Sequence, residues 1–335
     1  MYSTSKSFKA FRTLIFLGAI LALCVVVLGA YVRLTDAGLG CPDWPGCYGA
    51  LTVPQSEDAI VKAQNAYPHS AVVVGKAWRE MAHRYLAGTL GLIVLAISVL
   101  AWQAKREIKC SAWTPTFLVV LIAFQAMLGM WTVTMLLKPA IVSAHLLGGM
   151  STLAILSWIA HRHWGHYSSS IVQSGYLKLA IRFALLILFM QIFLGGWTST
   201  NYAALACTDF PTCHGVWIPE MDFKDAFHLV RDLGQSANGG ALTLASITAI
   251  QWTHRIGALI TLIYLGVMAL NVLKYWQLKQ LGVVLLVVLV AQISLGIANL
   301  ILHLPLVLAV AHNFTAALLV IILVMLNSKI TGAYK

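Results

Sequence analysis

Eight stretches of apolar sequence, each about 20 residues long, set the limits on what this chain can fold into. A helix of that length spans the hydrocarbon core of a bilayer, and lipid leaves every backbone N–H and C=O to be satisfied within the helix itself. The stretches run Phe11–Tyr31, Tyr85–Trp102, Trp113–Leu137, Ala140–Ala160, Leu177–Thr198, Trp252–Leu273, Leu281–His303 and Leu306–Leu326. Of the 335 residues, 60% are hydrophobic and 10% charged, against about 25% charged in a soluble domain. A soluble enzyme and a disordered chain are excluded. The first stretch reads as a retained span and not a signal peptide: its core is too long, it lacks a small-residue cleavage site, and Arg33 follows it. The expected fold class is an all-α membrane protein with eight transmembrane helices.

The net charge of +11 sorts by side of the membrane. With the N-terminus inside, the inner segments hold Lys6, Lys9, Arg12, Lys105, Arg106, Lys109, Arg162, Lys178, Arg182, Lys274, Lys279, Lys329 and Lys335. Those are 13 of the 22 basic residues, and only Glu107 of the 11 acids lies among them. The positive-inside rule therefore predicts cytoplasmic N and C termini. The charge is a topology signal, and no nucleic-acid partner is expected. Two outer segments, about 34–84 and 199–251, are long and read as folded caps.

The chain repeats itself. Gly29-Ala30-Tyr31 leads to Cys41-Pro42-Asp43-Trp44-Pro45-Gly46-Cys47, and Gly195-Gly196-Trp197 leads to Cys207-Thr208-Asp209-Phe210-Pro211-Thr212-Cys213, at an offset of 166. His83-Arg84 matches His254-Arg255 at 171; Gln125 and Gly129 match Gln292 and Gly296 at 167; His145 matches His312 at 167. Four spans separate the copies, so they share an orientation about an axis near the membrane normal. We expect two pseudo-twofold-related four-helix bundles, residues 1–170 and 171–335, each with a site between facing helices.

The repeated histidines are the chemistry. His83 and His145 in the first half, and His254 and His312 in the second, all lie near the outer ends of spans, His83 and His254 at the very start. Ionisable side chains inside a membrane usually face the bundle interior and mark function. Two facing imidazoles per bundle are what six-coordinate heme iron needs. A histidine bonded only to a neighbouring helix is the structural alternative. Zinc fits less well, because two histidines leave a tetrahedral site half empty. A covalent c-type heme is excluded, since Phe210 stands where Cys-x-x-Cys-His needs a cysteine. Gly88, Gly91, Gly148, Gly149 and Gly257 follow the histidines and would admit a flat ring or a neighbouring helix equally well. Arg84 and Arg255 suit heme propionates, or else reach for the interface.

The copies differ at one place. Glu80 lies three residues before His83, and Gln251 three before His254, each on its histidine's helix face. Gln matches Glu in size but cannot ionise. A carboxylate near a ring edge can take a proton or stabilise positive charge on a carbon being oxidised. The alternative places Glu80 in outer headgroup water, paired with Arg79 or Arg84. Cys41/Cys47 and Cys207/Cys213 each enclose five residues of an outer loop; they read as two loop-tying disulfides or, more sharply, as a redox-active pair.

Eight spans in two halves, the duplicated histidines, the run from Glu80 to Arg84 and the cysteine loop from Cys41 to Cys47 together resemble the heme A synthase family of cytochrome oxidase assembly. The resemblance covers nearly the whole chain; loops of variable length lie outside it, and it assigns no role to the long 216–250 stretch. It implies an oxidoreductase of the bacterial inner membrane that converts the C8 methyl of heme O to a formyl group by successive hydroxylations. It implies that His83 and His145 hold the substrate heme O, that His254 and His312 hold a heme b cofactor, and that Glu80 is the essential acid. Cys41/Cys47 becomes the functional pair and Cys207/Cys213 the structural one. Besides heme O and membrane lipid, the partners to consider are the heme O-making farnesyltransferase, as a handover route, and further copies of the chain, though no residue shows either. The rival functions are a di-heme b electron carrier without heme-modifying activity, a tandem-repeat transporter and a prenyl transferase. The last lacks its paired-Asp motif, and the transporter lacks polar groups at the midplane.

Overall fold

A computed structural model describes residues 5–164, 174–236 and 239–331. Lys335 of the inner-charge count and the expected 170/171 boundary lie outside the described residues. Ten helices follow in order: α1 (Lys6–Leu34), α2 (Glu57–Ala66), α3 (Val74–Gln103), α4 (Trp113–Thr134), α5 (Pro139–Trp164), α6 (Gly175–Thr200), α7 (Phe223–Ala226), α8 (Leu244–Leu273), α9 (Lys279–Ile301) and α10 (Leu306–Thr331). Among the described residues there is no strand, only isolated bridges such as Cys47 with Ala50. Among the described residues eight helices are long and apolar enough to cross a membrane; α2 and α7 lie in the two long loops. The expected all-helical, eight-span architecture is therefore present.

Helix ends follow local chemistry. Ser5 Oγ accepts from Phe8 N at 3.1 Å to open α1, and Thr243 Oγ1 accepts from Ser246 N at 3.2 Å to open α8, each satisfying an N–H without a partner in the first turn. Pro139 begins α5, where its missing N–H loses nothing. The tight turns before α5 and α10 use matched left-handed pairs, Leu136-Leu137 and His303-Leu304.

Two spans start earlier than hydropathy predicts. α3 begins at Val74 and not near Tyr85, and α8 at Leu244 and not at Trp252. His83 and His254 therefore lie about two and a half turns inside their helices and do not open them. Hydropathy marks where lipid contact begins. Both helices continue outward because the folded caps cover their outer turns, Ala77 and Met81 of α3 in the first cap core and Ala249 and Ile250 of α8 in the second.

α1 packs on α3 and α5, and α4 closes the group against both; α6, α8, α9 and α10 repeat this arrangement, and α5/α10, α1/α10 and α5/α6 contacts join the two groups. One apolar cluster fills the end of the assembly away from the histidines, with Phe11, Ile97 and Leu156 from one group and Ile181, Leu265 and Leu323 from the other. Each outer cap has its own small core. In the first, Cys41, Cys47, Val53, Ala63 and Met81 pack together. In the second, Trp197 packs with Ala203, Ala226, Ala249 and Ile250. The 216–250 stretch thus acquires a place: Trp197 Nε1 donates to Ala226 O at 2.9 Å, and Arg231 Nη2 to Asn201 Oδ1 at 2.7 Å, fastening it to the end of α6.

Candidate functional site

The histidine end is hollow. A cavity of about 2170 Å³ runs through it, lined by His83, His145, His254 and His312 together with Glu80 and Gln251. A pocket for one small ligand holds about 300–1,000 Å³, so this space is large enough for more than one. All four sequence-predicted histidines meet here.

His83 and His145 face each other with ring centroids 6.5 Å apart and planes at 82°. Two metal–nitrogen bonds of about 2.0–2.1 Å, plus roughly 1.1 Å from each nitrogen to its ring centre, give about 6.3 Å. At that separation the two imidazoles would be able to hold one heme iron between them. Their Nδ1 atoms are buried without a hydrogen bond of normal geometry. In the second group, Gln191 Nε2 donates to His254 Nδ1 and to His254 O, both at 3.0 Å. Both nitrogens of His312 face Gln292: Nδ1 lies 3.1 Å from its carbonyl oxygen and Nε2 3.1 Å from its Nε2.

Each imidazole lies against a glycine on a neighbouring helix. A Cβ built at Gly29, Gly129, Gly195 or Gly296 would come within 3.0, 3.4, 3.2 or 3.1 Å of the Cε1 of His83, His145, His254 or His312. The sequence repeat contained these glycines, but only the packing shows what they touch. Gly148 and Gly257 make room for the side chains of Gln125 and Gln191. Of the two readings of the small residues, helix packing holds for these two.

Glu80 is buried, at 4% exposure, so it does not lie in headgroup water. Its Oε2 accepts from Cys41 N at 3.0 Å, and its Oε1 pairs with Arg84 Nη2. Arg79 instead stacks over Tyr31. In the second group Gln251 Oε1 accepts from Cys207 N in the same manner, while its Nε2 donates to the carbonyls of Ala204 and Cys207. The same anchor is thus a charged pair in one copy and a neutral amide in the other.

Arg84 and Arg255 hold the cysteine loops. Arg84 Nη1 donates to Asp43 O at 2.9 Å and also to Gly46 O. Arg255 Nη1 donates to Asp209 O at 2.9 Å and Thr212 O at 2.8 Å, and Nη2 to Cys207 O at 2.9 Å. Both loops are closed by disulfides, Cys41–Cys47 and Cys207–Cys213. Gly40 carries the first loop directly onto α3; a Cβ there would meet the Lys76 and Ala77 backbone at 2.7–2.8 Å.

Sequence reasoning missed two loop aspartates. Asp43 accepts from Tyr48 N at 2.6 Å and Gly49 N at 2.8 Å. Asp209 accepts from His214 N at 2.8 Å, Gly215 N at 3.0 Å and Thr212 Oγ1 at 2.6 Å. The signal was present, since both occupy the same place between the repeated cysteines. The Thr212 hydroxyl, then the Gly215 and His214 N–H groups, hold the Asp209 carboxyl well below the usual carboxylate range. His214 lies near Cys207 and Cys213, but both sulfurs are taken up by the disulfide.

Eight membrane-length helices around one cavity, with four helix-borne histidines and two disulfide-tied outer caps, define a multi-pass membrane protein built around buried imidazoles. Residues 12–324 match the model of a family described as cytochrome oxidase assembly protein. The chain is 45% identical over 310 residues to heme A synthase of Shewanella oneidensis, covering 92% of this chain and 93% of that one. It is 29% identical over 328 residues to heme A synthase of Caulobacter vibrioides, covering 91% of each. It is 28% identical over 257 residues to that of Halalkalibacterium halodurans, covering 75% and 77%. The chain belongs to this cytochrome oxidase assembly family. Its eight apolar helices and bacterial relatives fit a multi-pass protein of the bacterial inner membrane.

Proposed function

We propose that this chain is a heme A synthase, oxidising the C8 methyl of heme O to a formyl group by successive hydroxylations. The observation that carries the reading is the Glu80/Gln251 difference at otherwise matched anchors, beside a histidine pair spaced for one iron. His83 and His145 would hold heme O, and His254 and His312 a heme b, with the Gln292 amide giving up its contact with His312 Nε2. Bound heme supplies the methyl group to be oxidised and a redox-active iron. Glu80, buried and charge-paired with Arg84, supplies the one carboxylate on the helix face shared with His83; it holds a proton or stabilises positive charge at the ring edge. Arg84 and Arg255 would meet propionates with donors the loops leave over. Cys41/Cys47 is the functional pair, Cys207/Cys213 the structural one. The halves 1–170 and 171–335 are related by a pseudo-twofold axis, with both termini cytoplasmic. The repeated helix packing and matched loop anchors support the two related halves, and the basic residues of the inner segments support the orientation.

The test is the mass and spectrum of hemes extracted from cells making this protein with a heme O source. Heme A in wild type and its loss in Glu80→Gln, with heme b retained, supports the reading. Heme b alone in both would favour the di-heme b electron carrier instead.

A further inference from the structure

The cavity is not the same depth in the two groups of helices. Between α3 and α4 it reaches inward to Leu95 and Val119; between α8 and α9 it stops at Leu262 and Leu289. At 1.5 Å per residue, Leu95 lies about 18 Å along its helix from His83, whereas Leu262 lies about 12 Å from His254.

The sequence repeat explains the difference. Applying the offsets of the histidine and glutamine pairs, Gly88 corresponds to Leu259 and Gly91 to Leu262. On the facing helix, Ala123 corresponds to Val290 and Ala126 to Ile293. Four positions are small in the first group and bulky in the second. Leu95 closes the inner end, where the second copy has Gly266, outside its cavity.

Close helix packing does not account for the glycines. A Cβ at Gly88 would meet nothing within 4 Å, and one at Gly91 would make only an ordinary contact with Ile122 at 3.5 Å. Glycine inside a helix is destabilising relative to alanine, and no close contact at Gly88 offsets that. Gly88, Leu92 and Ala126 are exposed on the surface that would face lipid, so the groove opens sideways into the membrane.

We propose that this groove is a subsite for a linear isoprenoid substituent on the heme held by His83 and His145. The inference rests on the heme A synthase reading, in which the substrate carries a farnesyl-derived tail and the cofactor, heme b, does not. Lipid is as apolar as the groove, so burial in the groove adds little attraction. The selectivity comes from exclusion: Leu259, Leu262 and Ile293 block in the second group the path that Gly88, Gly91 and Ala126 leave open in the first. The two sites thereby sort prenylated from unprenylated heme without any difference in the axial ligands.

The experiment is extraction and mass analysis of hemes bound to the purified full chain, co-produced with a heme O source. In the variant Gly88→Leu/Ala126→Ile, prenylated heme (heme O plus heme A) falls at least tenfold while heme b stays at its wild-type level. In the reciprocal variant Leu259→Gly/Ile293→Ala, prenylated heme per protein rises and heme b falls. Unchanged prenylated heme in the filled variant overturns the groove. If the filled variant also loses heme b, the reciprocal variant decides, and no rise there overturns the proposal. Absence of any prenylated heme from wild type would be a failure of the heme A synthase reading, and is seen before either variant is made.

Discussion

At the scale of single residues, the site is governed by what each buried polar atom is given as a partner. Glu80 and Arg84 are nearly enclosed, with side-chain exposures of 6% and 12%. An exposed pair of this kind would contribute about 0–1 kcal/mol, whereas breaking a buried one costs about 3–5 kcal/mol. Arg84→Leu is therefore expected to lower thermal stability on that larger scale, and Arg84→Leu/Glu80→Gln to recover only the part due to the unpaired Glu80 charge, since the Asp43 and Gly46 carbonyls still lack their donor, as a melting series would show. Glu80→Gln alone keeps an acceptor for Cys41 N and reproduces the second copy's chemistry. The glycines behind the histidines make a second prediction. Gly195→Ala sets a methyl 3.2 Å from His254 Cε1, so the ring must tilt. Heme retention should weaken about tenfold, the lower end of what disturbing a ligand's surroundings usually costs, with a shifted low-spin spectrum. An unchanged spectrum would show that the ring has room to spare.

At the scale of elements, the cysteine loops are small rigid bodies clamped to α3 and α8. An arginine grips their carbonyls, a Glu or Gln grips the first cysteine N–H, and an aspartate ties the turn. Because Asp209 titrates below its unfolded value, its contribution is present at neutral pH. It begins to fade below the unfolded value of about 3.9 and is lost as pH falls through the folded one. Asp209→Asn should abolish this acid dependence. Limited proteolysis of the 199–251 cap between pH 3 and pH 7 measures it, and equal acid sensitivity in wild type and variant would assign the effect elsewhere. The elements also show where hydropathy stops being informative. It located every span, but began α3 and α8 roughly two to three turns late, because the outer turns of α3 carry Lys76, Arg79 and Glu80, those of α8 Ser246, Thr248 and Gln251, and both are covered by protein.

At the scale of the whole molecule, the packed end and the hollow end divide the work: one apolar cluster supports the helices, and the other end is left open around the imidazoles. Orientation in the membrane is tested with a thiol reagent that does not cross lipid. In a Cys110→Ser background, Lys62→Cys on α2 should react in intact spheroplasts and Lys105→Cys only after lysis; both positions are exposed. The reverse pattern would invert the topology. The sequence by itself determined the eight spans, the duplication and the identity of the four histidines, because lipid demands long apolar helices and a repeat makes rare polar residues stand out. It also marked Glu80 against Gln251. Only the tertiary structure decided that Arg84 and Arg255 clamp loops, that the glycines press on imidazoles, and that the cavity runs deeper on one side. Those facts depend on which helix faces which, and residues distant in the chain carry no record of their contact until the chain has folded.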